Sequence, residues 1–252
     1  MKKVIFTVLF GMISTLGFTQ NVTLEWAKQM GGNSSDLGFS IKTDANGNIY
    51  TIGNFRDTVD FDPGVGVFNL ISNGNNDIFI QKLNANGDFV WVKQIGGTDL
   101  EDGKSIVIDG GVIYTTGIFN GTADFNPGTG VFNLTSNGRH DIFIQKLDTA
   151  GNFIWAKNIG GTSIDFGNSI TTDAIGNIYI TGYFRDTVDF DPGVGVFNLT
   201  TPGITVVNIF VLKLNASGNF IWAKQMIGNA TSGGSFINID ASGNALITGF
   251  FS

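Results

Sequence analysis

The sequence predicts an all-β protein built from repeats of four antiparallel strands, and three observations carry that expectation. Trp26, Trp91, Trp155 and Trp222 are the only tryptophans, and they fall 65, 64 and 67 residues apart. Each sits in the same local text, for example Phe89-Val90-Trp91-Val92-Lys93-Gln94 and Phe153-Ile154-Trp155-Ala156-Lys157-Asn158. A residue used at one phase of a fixed period marks an internal repeat. Second, short apolar runs alternate with Asn- and Asp-Gly turns. Third, beyond the N-terminal residues no stretch keeps a helical period with caps, so almost no helix is expected.

One unit, residues 33–97, shows how each element arises. Phe39 to Thr43 reads as a first strand, and Ile49 to Ile52 as the strand returning from it. Between them, Asp44-Ala45-Asn46-Gly47-Asn48 is a turn, because Asp bonds its own backbone ahead and Asn-Gly tolerates positive φ. Asp77 to Leu83 and Phe89 to Ile95 form a second hairpin around Asn84-Ala85-Asn86-Gly87-Asp88, closed by Gly96-Gly97. Apolar residues occupy both parities of these strands, which predicts burial on both faces. An insert, Asn54 to Asn76, separates the second strand from the third. Its Asp62-Pro63-Gly64 turn and its runs at 57–61 and 67–71 predict a small hairpin.

The unit recurs over residues 98–161 and 162–228, with partial units at 20–32 and 229–252. Tyr50, Tyr114 and Tyr179 are equivalent, with Leu246 in the last unit. Residues 54–70 and 183–199 differ only at their first position, Asn54 against Tyr183. Four antiparallel strands per unit, buried on both faces and arrayed at a fixed period, describe the blades of a β-propeller, here with a hairpin insert between strands two and three. The hairpins around Gly47, the Phe61-Asp62-Pro63-Gly64 segment and the Ile78-to-Leu83 plus Phe89-to-Lys93 pair resemble the SBBP-type β-propeller repeat of exported bacterial proteins. The resemblance runs from Val22 to the end. It implies a bacterial repeat protein at the cell surface or outside the cell, and little about activity.

The ends are phased differently from the middle. Val22 to Gln29 is fourth-strand text, whereas Phe236–Ile239 and Ala245–Thr248 are first- and second-strand text. A blade combined from both ends would lack its third strand. The expectation is a partial propeller, with a closed four-bladed ring as the alternative.

Residues 1–19 read as a leader. Met1-Lys2-Lys3 is basic, and Val4–Leu16 is an apolar run of secretory length. Gly17 and Thr19 are small residues before a cut at Gln20. Export to the cell surface or beyond is therefore expected, with no membrane span after cleavage. The chain has no cysteine, which excludes disulfides, thiolate metal sites and cysteine nucleophiles. Removing Lys2 and Lys3 with the leader leaves 12 basic against 21 acidic residues, a net charge of −9. That excess argues against nucleic acid, which calls for a basic patch. It is compatible with cations, with neutral glycans or with solubility alone; the partner expected is a glycan or a protein.

Candidate ligand-facing residues are acids that recur at blade phase. The linkers between units carry Asp36, Glu101 and Asp165, and the inserts carry Asp60, Asp124 and Asp189. Both groups are expected on the face with the longer loops, where function collects. Asp57, Asp60 and Asp62 supply hard oxygens of the kind Ca²⁺ takes. However, their spacing does not match an EF-hand, and the second unit has Gly121 and Asn126 in place of Asp57 and Asp62. Turn chemistry is therefore the favoured reading, and no cofactor is expected.

Catalysis finds little support in the sequence. His140 is the sole histidine, in a loop. The offsets Asp148, Gly151, Trp155 are one residue short of the docking motif of quinone-dependent propellers. Paired catalytic carboxylates are normally unique, whereas these repeat. The expectation is a non-enzymatic binding or scaffold module, with the propeller part of a secreted polysaccharide-active enzyme as the alternative.

Overall fold

A computed structural model describes residues 24–203, 205–228 and 231–251; the leader at residues 1–19, with Val22 and Thr23, lies outside them. The first unit holds β1 (Gly31–Gly32), β2 (Leu37–Thr43), β3 (Ile49–Phe55), β4 (Thr58–Asp60), β5 (Asn69–Ile71), β6 (Asp77–Leu83) and β7 (Phe89–Gly97). The second holds β8 (Glu101–Asp109), β9 (Val112–Phe119), β10 (Thr122–Asp124), β11 (Asn133–Thr135), β12 (Asp141–Asp148) and β13 (Phe153–Ile159). The third holds β14 (Phe166–Thr172), β15 (Ile178–Arg185), β16 (Thr187–Asp189), β17 (Asn198–Thr200), β18 (Val207–Leu214) and β19 (Phe220–Met226). A last hairpin is β20 (Ser232–Ile239) with β21 (Ala245–Phe251). No helix occurs among the described residues.

Each full unit is a four-stranded antiparallel blade: β2-β3-β6-β7, β8-β9-β12-β13 and β14-β15-β18-β19. The two middle strands are buried on both faces, as in β6 and β9, which is why their sequence does not alternate. The fourth strand does alternate, turning Val90, Ile154 and Ile221 outward. Cores lie between blades rather than within them. Tyr50, Ile52, Ile78 and Ile80 of the first blade pack with Ile106, Phe119, Phe125 and Phe143 of the second. Tyr114, Ile142 and Ile144 repeat the arrangement against Ile170, Phe184 and Phe190 of the third.

The tryptophans belong to these junctions. Each lies near its own blade's tyrosine, with ring centroids 6.1 Å apart for Trp91–Tyr50, 6.2 Å for Trp155–Tyr114 and 6.1 Å for Trp222–Tyr179. A lysine of the third strand, paired between the two, lies over each tyrosine ring: Lys82 at 5.0 Å, Lys146 at 5.0 Å and Lys213 at 4.7 Å. Trp155 also lies against Gly218 in the turn of the next blade, and Trp26 lies against Gly87 in the same way. The stretch 24–30 therefore occupies a fourth-strand position beside the first blade. It carries no ladder, and only β1 at its end is paired.

Inner strands β2, β8, β14 and β20 stand beside one another in that order. Each carries a bulge after a glycine, at Gly38, Gly103, Gly167 and Gly234. The serine two residues on accepts a hydrogen bond from the next inner strand: Ser40 from the Ile106 N–H (3.4 Å), Ser105 from Ile170 (3.2 Å) and Ser169 from Ile237 (3.2 Å). Bulges at an inner edge re-aim side chains and add twist, so they determine what faces the axis.

The inserts are hairpins, as expected, with pairs β4–β5, β10–β11 and β16–β17. They lie beside the linkers between units: β4 meets Gly31 and Gly32, and the Arg56 and Arg185 N–H groups reach Asp36 and Asp165. They fold down into the seam between neighbouring blades. β10 pairs with β7 of the preceding blade (Ala123↔Gly97, Asp124↔Gly96), which makes a six-stranded sheet, and β4 pairs with β1. Phe61, Phe125 and Phe190 are almost wholly buried there. Phe125 sits 5.2 Å from Phe119 and 5.1 Å from Phe143, and the other two inserts repeat the triad. The glycine pairs Gly31-Gly32, Gly96-Gly97 and Gly160-Gly161 permit this approach. A Cβ on Gly97 would lie 2.2 Å from the Thr122 carbonyl oxygen, and one on Gly161 would lie 2.3 Å from that of Thr187.

Candidate functional site

The insert acids are held by the backbone. The Asp60 carboxylate accepts the N–H groups of Asp62 (3.0 Å) and Phe68 (2.8 Å). Asp124 accepts from Asn126 (2.9 Å) and Phe132 (2.8 Å), and Asp189 from Asp191 (3.0 Å) and Phe197 (2.8 Å). One oxygen thus ties both arms of each insert tip. Asp62, Asn126 and Asp191 accept the N–H of the glycine two residues on at 2.8, 2.9 and 2.8 Å, the Asx turn expected of Asp-Pro-Gly.

Asp57 has a separate role. It takes a left-handed backbone, φ 60°, as does Asp186 at 64°. The equivalent residue of the second unit is Gly121, φ 65°. That conformation, tolerated by Asp and natural to Gly, explains the substitution. The Asp57 carboxylate accepts from the Ser34 hydroxyl. In the second unit the acid sits on the other side of the same contact, because Asp99 faces Gly121. Asp57, Asp60 and Asp62 are therefore engaged one by one rather than gathered. Among the described residues, no three His, Cys, Asp or Glu residues come together in a way that could hold a metal ion.

If the Asp124 carboxylate serves the fold, Asp124→Ala should lower stability by about 1–2 kcal/mol, because it strips two backbone N–H groups of their acceptor. Asp124→Asn keeps the acceptor and should recover most of that. Thermal melts of the three proteins check it, and equal melting temperatures would contradict the capping role.

The linker acids also serve the backbone, at the blade seams. Asp36 accepts the N–H groups of Gly32 (2.7 Å) and Arg56 (3.2 Å). Asp165 accepts those of Gly161 (2.8 Å) and Arg185 (3.1 Å). Each thus joins the end of one blade to the start of the next insert. Glu101 accepts only Gly97 (2.9 Å), and its Oε1 has no partner. The second unit's Asn120 N–H goes instead to the Leu100 carbonyl. Asp36 is half-buried, whereas Glu101 and Asp165 are fully enclosed. Burial pushes the Glu101 carboxyl up to about 8, with Asp77, Asp99 and Asp102 nearby adding to it against the Gly97 N–H. Burial likewise pushes Asp165 up to about 7, opposed by its two N–H donors.

A third series of acids escaped the sequence reading. Asp77 and Asp141 open the third strands and are wholly buried. Asp77 accepts from the Gln94 Nε2 (2.6 Å) and the Asn73 N–H (3.1 Å), and Asp141 from the Asn137 N–H (2.9 Å). Burial raises the pKa of both. Gly96 and Gly160 lie directly against these carboxylates, where a Cβ would clash at 2.4 and 2.2 Å. In the third unit Asn208 replaces the acid and Ile227 replaces the glycine. That coupled change was the signal available in the sequence. His140 is half-buried with its ring 5.6 Å from Phe166 and its Nδ1 unpartnered. Burial lowers its pKa.

Comparison with known proteins agrees with this geometry. A family model described as a β-propeller repeat (SBBP) matches residues 154–183, which run from the fourth strand of one blade through the first hairpin of the next. The chain is a β-propeller. It is also 28% identical to an uncharacterized WD repeat-containing protein, L264, of Acanthamoeba polyphaga mimivirus, over 86% of this chain. The propeller spans only 18% of that relative's length. No helix among the described residues is long and apolar enough to cross a membrane.

Proposed function

We propose that this propeller is an exported, non-enzymatic module that binds or scaffolds at the cell surface or outside the cell. The observation that carries the reading is how the recurrent acids are used: the insert and linker carboxylates hold backbone N–H groups at blade seams and insert tips. Glu101 and Asp165 have the raised pKa of catalytic acids, but both are fully buried and present no surface to a substrate. Export rests on the basic start and apolar run of residues 1–19. The partner classes are a glycan or a protein.

A polysaccharide panel scored both for retention and for released reducing ends tests this reading. Retention without turnover is expected. Turnover abolished by one substitution among the acids of a single blade would overturn it in favour of a polysaccharide-active enzyme.

A further inference from the structure

We infer that the axial cavity between the four inner strands is a binding site for a hydroxylated carboxylate, such as a uronic acid residue of an acidic glycan. The cavity holds about 300 Å³ and takes lining residues from β2, β8, β14 and β20 alike. That volume is at the small end of ligand sites, sized for one or two sugar rings.

Its lining departs from the rest of the molecule in two ways. The first is charge. The chain is acidic overall, yet no carboxylate lines this cavity, and Lys42 and Lys104 do. The Lys104 ammonium is held between the Asp102 carboxylate at 3.1 Å and the Phe39 ring at 3.8 Å from its centroid. Lys42 is exposed and has no acidic partner among the described residues. An anion entering the cavity would therefore meet Lys42, unpaired among the described residues, and Lys104, whose charge Asp102 partly offsets.

The second is asymmetry. The serines that tie neighbouring inner strands recur at one phase, as a structural role demands. The positions beside them do not. The bulge residue is Phe39, Lys104, Asn168 and Ser235 in the four units, and the residue three further on is Lys42, Val107, Thr171 and Asn238. Residues 54–70 and 183–199 differ at one position only, whereas these inner-strand positions differ in all four units. Amides beside cations suit the hydroxyls and carboxylate of an acidic sugar. Phe39 and Phe236, both partly exposed, offer apolar faces against which a sugar ring can lie.

This inference rests on the reading of the chain as a binding module, and one experiment separates the two. Trigalacturonate, free galacturonate and neutral trigalactose are titrated calorimetrically into the full chain and into Lys42→Gln, whose exposed position leaves the fold intact. Reducing ends are measured in parallel. Trigalacturonate should bind at least about ten-fold tighter than trigalactose, and Lys42→Gln should remove about ten-fold of that affinity. Added salt should weaken binding. Equal affinity for free galacturonate would assign the cavity to a single sugar acid, and weaker affinity would assign it to the glycan end; both sustain the site. No acidic-ligand binding, equal binding of trigalactose, or an unchanged Lys42→Gln would overturn the axial site while leaving the module reading intact. Release of reducing ends would overturn the module reading instead.

Discussion

Gly117→Ala should cost more than about 4 kcal/mol, enough to remove most of the stability of a typical domain. Gly117 lies on the second strand opposite Gly103, at the bulge of the first strand. A Cβ there would sit 1.9 Å from the Asp102 carbonyl oxygen and 2.8 Å from the Phe143 ring. The obstructing atom is backbone, so no rotamer change relieves it. The bulge cannot retreat either, because Gly103 is already seated against Ile52 and Ile78 of the preceding blade. Gly53 and Gly182 stand in the same place, with the same carbonyl at 1.8 and 1.7 Å. Gly110→Ala is the control. It lies in an exposed turn with φ +55° and open space around it, so only left-handed strain of about 1–2 kcal/mol applies. Denaturant midpoints of the two variants would separate these effects. Similar losses would show that close approach at the bulge is not what Gly117 provides.

The same glycines show what the sequence could reveal. Strand positions came from local signals. Asp77–Leu83 reads correctly because a both-face-apolar run between turn residues has few other solutions, and β6 occupies those bounds. Turn tips came from Asp- or Asn-x-Asn-Gly text, and Gly47 and Gly87 do take φ 77° and 79°. The seat of the inserts was not legible. Whether a hairpin stays in a loop or crosses to the preceding blade depends on space between units, which no local pattern records. The Gly96-Gly97 and Gly160-Gly161 pairs were visible as strand ends. Their meaning as a docking edge appears only once β10 lies against β7.

The candidate acids were found by phase, and phase alone does not distinguish a ligand from a cap. Asp60 and Asp124 repeat because every insert tip has the same two N–H groups to satisfy. A residue that serves the fold is kept in each copy, whereas one that serves an asymmetric ligand need appear only once. By that criterion the recurrent acids belong to the scaffold. The divergent residues of the axis, Phe39, Lys104 and Asn168 among them, are where specificity can reside. A search for repeated polar residues passes over them.

Stability should fall as pH rises from about 5 to about 9, with Glu101 as the main cause. Its carboxyl titrates near 4.3 in an unfolded chain and about 8 in the fold. Between those values the folded state binds the extra proton, so stability is full below the unfolded value and is lost as pH rises through about 8. Asp165, at about 7, acts in the same sense. Its two backbone donors favour the carboxylate, whereas Glu101 has one donor and a bare oxygen, so Glu101 carries the larger share. One pKa unit corresponds to about 1.4 kcal/mol, which makes a loss on the order of 2–4 kcal/mol across this window. Asp148, held low by the Asn152 backbone N–H, acts oppositely, and its contribution is lost only as pH falls below its ordinary range. The optimum should therefore lie near pH 5. Glu101→Gln keeps an oxygen for the Gly97 N–H and cannot ionise. At pH 5 it should be no more stable than the parent, because its amide donors are buried without partners. At pH 9 it should be more stable by about 2 kcal/mol. The two stability curves must cross, and parallel curves from pH 5 to 9 would place the ionisation that destabilises this propeller on another group.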